Sequence, residues 1–119
     1  MVMETETYTP KFKIGHTVIT NGGDMAIIVA THLFLRQFTT TLSNHSDYDS
    51  RDAAHTLYSI FSMEDGSFCW RWENFLTAYC TNDLRGKRVL NEPSVIKEFR
   101  SSYSINDENW LKYSQYIKV

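Results

Sequence analysis

The chain of 119 residues is 42% hydrophobic and 22% charged, with 14 acids against 12 bases for a formal charge of −2. That is the make-up of one soluble domain: at 14% aromatic it is too apolar for a disordered chain, and no run approaches the ~18 apolar residues of a membrane span. The near-neutral charge also argues against nucleic-acid binding by bulk electrostatics.

Residues 1–10 carry Glu4 and Glu6, lack the apolar core of a signal peptide, and read as a loose tail ending in proline. With only Cys69 and Cys80 and no such leader, the expectation is a cytoplasmic protein with two free thiols. Residues 16–20 are short and β-branched, and 25–30 form a continuous apolar run. Asn21-Gly22 between them supplies the positive φ angles of a tight hairpin. The alternation carries the second strand on through His32 and Phe34 towards Arg36. Residues 39–54 are polar and read as a long loop, of the kind that is mobile or functional; one helical turn over 50–55 is the alternative. A second hairpin follows, with 57–63 as one strand, Glu64-Asp65-Gly66-Ser67 as the turn and 68–72 as the other strand. Its alternation sends Phe68, Trp70 and Trp72 to a core-facing side and Cys69, Arg71 and Glu73 to the other.

Beyond Trp72 the period changes. Phe75, Leu76, Tyr79 and Cys80 recur at helical spacing, which predicts a short helix over 73–82. Residues 83–91 read as a connector, basic in its middle. Pro93 opens a helix whose stripe is Val95, Ile96, Phe99 and Tyr103. Ser104 reads as the N-cap of a last helix, with Asp107 and Glu108 in its first turn. Trp110, Leu111, Tyr113, Tyr116 and Ile117 form its apolar side. A terminal strand over 111–119 competes, and the helix is favoured.

The phrase Phe12-Lys13-Ile14-Gly15-His16-Thr17-Val18 resembles the F-x-x-G-D-x-V opening of KOW, Tudor and related SH3-like domains. Asn21-Gly22-Gly23-Asp24-Met25-Ala26-Ile27-Ile28-Val29 is similar to the S-G-G-x-x-M-x-V hairpin of the YodC-like small bacterial and prophage proteins, and 58–72 fits their W-F-x-x-G half. The likeness covers residues 12–76. It departs from the pattern at His16, which stands where aspartate is usual, in the longer 39–54 loop, and in the C-terminal third. It implies a mainly β (β+α) fold: an SH3-like barrel of about five antiparallel strands over 11–82, with one to three helices in a C-terminal extension, 83–119, packing on it as a single domain. The prophage setting of the group implies a mobile-element accessory protein that inhibits a host complex.

The four histidines and two cysteines give no CxxC, no HxxxH and no finger spacing. His45 with Asp47, Asp49 and Asp52 lacks the glycine and glutamate of a calcium loop. No metal or cofactor is therefore expected. There is no G-x-S-x-G and no P-loop. Cys69 shares a strand face with Arg71, whose guanidinium would lower a thiol pKa, but an inert half-buried cysteine is the favoured reading. Arg85, Lys87 and Arg88, with Lys11 and Lys13, form the candidate nucleic-acid patch, set against a solvated connector. Three Trp, seven Tyr and seven Phe exceed the needs of a small barrel, and aromatics are enriched at interfaces. Asp47, Tyr48, Asp49 and Asp52 in the loop, with Trp110, Tyr113 and Tyr116, are the candidate protein-binding residues; completing a barrel–helix core is the alternative for the last three. The expectation is a non-enzymatic binding or regulatory protein whose partner is another protein, with no membrane role. A KOW-like nucleic-acid module, a homodimer and a cysteine- or metal-dependent enzyme are the alternatives.

Overall fold

The computed structural model describes residues 9–42 and 53–119. The expected tail, but for Thr9 and Pro10, and loop residues 43–52, among them Asp47, Tyr48, Asp49 and Asp52, lie outside the described residues. Five strands form one antiparallel sheet: β1 (Thr17–Thr20), β2 (Met25–Thr31), β3 (Leu57–Ser62), β4 (Ser67–Trp72) and β5 (Leu76–Cys80), in the order β4-β3-β2-β1-β5. Four helices accompany them: α1 (His32–Leu35), α2 (Asp83–Leu90), α3 (Pro93–Tyr103) and α4 (Asp107–Ser114). Of the described residues 40% are helical and 28% in strands, so the expected β+α class holds, with an open sheet rather than a closed barrel. No described helix is long and apolar enough to cross a membrane.

Both expected hairpins form, each on a left-handed glycine. In the first, that residue is Gly23 (φ 91°) rather than the Asn21-Gly22 pair, and Thr20 Oγ1 accepts from the amides of Gly22 and Asp24. In the second it is Gly66 (φ 70°), whose N–H donates to the Ser62 carbonyl. The sheet has two apolar faces. Ile27, Val29 and Phe61 pack with Leu35, Phe38 and the buried stripe of the C-terminal helices, Val95, Phe99, Tyr103, Tyr113 and Ile117. On the opposite face Val18, Ala26, Ile28, Tyr58 and Ile60 are covered by Phe12 and Leu76. Every residue of β3 is consequently buried. The pairing of β2 with β3 slips between Ile28 and Ala30, leaving Val29 unmatched, and Tyr113 Oη donates to the Val29 carbonyl at 2.8 Å. Burial raises the pKa of that phenol. It also raises that of Tyr103, to about 12, where Ser59 and Tyr103 share a hydroxyl–hydroxyl bond of 2.6 Å.

Four local expectations are corrected. The segment 73–82 is a single 3-10 turn, Glu73–Phe75, followed by β5. Periodicity does not separate a short strand from a short helix, and the open backbone groups of β1 decide in favour of pairing. The supposed connector is α2: Asn82 caps it by accepting from the Leu84 amide, Asp83 stands in its first turn, and Lys87 and Arg88 in its last, all as the helix dipole favours. β2 stops at Thr31, whose hydroxyl accepts from the Phe34 amide and starts α1. Ser104 is the left-handed residue that ends α3 (φ 53°), and Asn106 caps α4 by accepting from the Asn109 amide at 2.8 Å. The helix prevails over the terminal strand, and one 3-10 turn, Gln115–Ile117, follows it.

Candidate functional site

A cleft of about 470 Å³ opens where the segment before β1 meets the end of β2, α1, α2 and the C-terminal turn. That is within the ~300–1,000 Å³ of ordinary binding pockets. Phe12, Ile14, Ile28, Ala30, Phe34 and Tyr116 make it apolar, and Lys13, Asp83 and Lys87 supply its charges.

The walls are fixed by a mixture of distant and local bonds. A buried network anchors the N-terminal segment: Glu73, 3% exposed, accepts from Tyr58 Oη at 2.6 Å and from the Lys11 amide at 2.8 Å. The Phe12 amide donates to Tyr58 Oη at 3.1 Å. Lys13 is held by a reciprocal turn, its N–H donating to His16 Nδ1 and its carbonyl accepting from the His16 amide. On the far side Lys87 pairs with Asp83 at 3.1 Å, one helical turn away. Gly86 of the same helix lies against Gly15 so closely that a Cβ would meet the Gly15 oxygen at 2.0 Å. Asn91 Nδ2 donates to the carbonyls of Lys87 (2.8 Å) and Ile117 (2.6 Å), tying α2 to the turn that carries Tyr116. The Tyr116 ring stands edge-on to Phe34 at 4.9 Å and is 49% exposed.

His16 is half-buried and feels the charges of Asp83 and Lys13, both of which line the cleft. Desolvation lowers its pKa; the Asp83 carboxylate opposes this and the Lys13 ammonium adds to it. The neutral imidazole is also the form whose Nδ1 accepts from Lys13. A depressed folded-state value means that the unfolded chain takes up the proton first. Stability should therefore be level above 6.5, the ordinary imidazole value, and decline below it until the folded imidazole itself titrates. Urea midpoints measured against pH should show this decline in the native chain. His16→Asn, whose amide oxygen replaces the acceptor without titrating, should make that decline shallower above the carboxylate range.

The other sequence candidates distribute unevenly. Arg85 and Arg88 are exposed on α2 and Lys87 is half-buried at the cleft. Trp110 is half-buried against Phe99 and Tyr113. Tyr113, 1% exposed, belongs to the core, which corrects its reading as a surface contact: the Val29 carbonyl draws its hydroxyl inward. Only Tyr116 of the three C-terminal candidates reaches the cleft. Sequence reasoning missed Phe34 and Asp83; the cap signals at Thr31 and Asn82, which place both on helices, were the available clue. Cys69 and Cys80 are free and half-buried, and the Arg71 guanidinium donates to the Trp70 carbonyl. At the hairpin tips a hydrogen bond with Asp24, together with that carboxylate's charge, raises the Glu64 pKa. Among the described residues no three His, Cys, Asp or Glu side chains are grouped to hold a metal ion. Comparison with protein-family models, curated proteins and solved structures finds no significant match.

Proposed function

We propose that this chain is a non-enzymatic binding or regulatory protein, a cytoplasmic accessory factor that acts by contacting another protein. The observation that carries the reading is the apolar cleft with the half-exposed Tyr116 ring at its lip. An aromatic anchor beside a preformed pocket is the usual make-up of an interface hot spot. The strand order β4-β3-β2-β1-β5, with a 3-10 turn between β4 and β5, supports reading the sheet as an SH3-like arrangement left open. Affinity capture with the full chain should retain a specific protein, and Tyr116→Ala should weaken that retention roughly tenfold, as loss of a hot-spot aromatic does. Equal capture by both proteins would refute the cleft as the contact. A nucleic-acid role has support from exposed Arg85 and Arg88 on one helix. It predicts retention of DNA or RNA that falls steeply with salt and is abolished by neutralising the two arginines.

A further inference from the structure

We propose that the partner offers the cleft an acidic segment bearing one large apolar side chain. This rests on the reading of the cleft as a protein-binding site and adds the chemistry of what enters it. The floor, with Ile14, Ile28 and Phe34, favours an apolar anchor by burial alone. The rim selects by charge. Two ammonium groups from separate elements, Lys13 ahead of β1 and Lys87 on α2, line it against a single carboxylate, Asp83, which is already paired with Lys87. Lys13 has no ion-pair partner among the described residues. A wholly apolar occupant would strip water from that ammonium and return nothing, whereas a carboxylate would pair with it as it is desolvated. A basic segment would add a third cation to the rim. A phosphodiester strand fits less well, because most of the lining offers phosphate no donor and Asp83 repels it.

The test is selection of a random short-peptide library on the immobilised full chain, with Tyr116→Ala and Lys13→Glu as counter-selections. Lys13 is exposed and its hydrogen bonds to His16 run through its backbone N–H and carbonyl, so Lys13→Glu is expected to fold as the native chain does, which circular dichroism checks. Peptides enriched on the native chain and lost on Tyr116→Ala should be net acidic with one Phe, Trp or Leu. Their affinity should fall roughly tenfold on Lys13→Glu, the scale of a close interfacial charge pair. Cleft-dependent peptides that are neutral or basic would overturn the acidic preference while leaving the cleft a protein-binding site. No cleft-dependent peptide at all would overturn both. A parallel selection with random single-stranded DNA that yields Tyr116-dependent binders would transfer the site to nucleic acid and sink the proposal.

Discussion

Replacing Gly86 by alanine is expected to destabilise the protein by about 3 kcal/mol or more, the upper range for overpacking a closed site. Helix propensity alone predicts the reverse sign, since alanine in a helix interior is favoured over glycine by roughly 0.8–1.0 kcal/mol. The contact decides between them. A Cβ at Gly86 would lie 2.0 Å from the Gly15 oxygen and 2.8 Å from its carbonyl carbon, both backbone atoms with no rotamer to retreat into. Gly15 is itself fixed, with φ at 95° and its N–H donating to the Ile28 carbonyl at 2.9 Å. Helix α2 would have to withdraw from the sheet, taking Asp83 and Lys87 out of the cleft wall. Thermal unfolding should show a fall of about 10 °C or more for a domain of this size. Ser101→Ala, an exposed position in α3, should be neutral or slightly stabilising. A Gly86→Ala protein as stable as the native chain would mean that α2 does not sit on Gly15.

The same glycine shows where the sequence is readable and where it is not. The hairpins are legible because everything that makes them is local: Gly23 and Gly66 supply left-handed turns between short runs of strand-forming residues. Pro93 and the stripe of Val95, Phe99 and Tyr103 mark α3 on the same terms. Residues 83–91 read as a basic connector because the contact that explains Gly86, with Gly15, lies 71 positions earlier. β5 is misread likewise, since its partner β1 begins at Thr17 and nothing between Leu76 and Cys80 announces that pairing. The cleft is harder still. Phe12, Phe34, Asp83 and Tyr116 come from four separated stretches, so no window of sequence contains it. Among the C-terminal aromatics, pattern cannot tell Tyr113 from Tyr116. They stand one turn apart, and they differ in what they meet: Tyr113 reaches the Val29 carbonyl in the core, whereas Tyr116 lines the cleft.

That contact with Val29 makes Tyr113 the second position of large effect. Tyr113→Ala should cost about 3–5 kcal/mol for the lost ring, and about 1–3 kcal/mol more for the Val29 carbonyl left without its donor. The two parts are separable. Tyr113→Phe keeps the ring contacts with Phe99 at 4.9 Å, Phe38 at 5.8 Å and Trp110 at 6.1 Å and removes only the hydroxyl, so its loss should equal the hydrogen-bond part alone. Denaturant midpoints for the three proteins, with unchanged slopes, give both numbers. If Tyr113→Phe costs less than about 0.5 kcal/mol, below the usual net value of a hydrogen bond, the bond to Val29 is not what fixes α4. Tyr116 follows Tyr113 by one turn and is held separately, through the bond from Asn91 on the end of α2 to the Ile117 carbonyl. Tyr113→Phe should therefore weaken cleft-dependent binding by less than Tyr116→Ala does, while Tyr116→Ala, half-exposed, should leave stability within about 1 kcal/mol of the native chain.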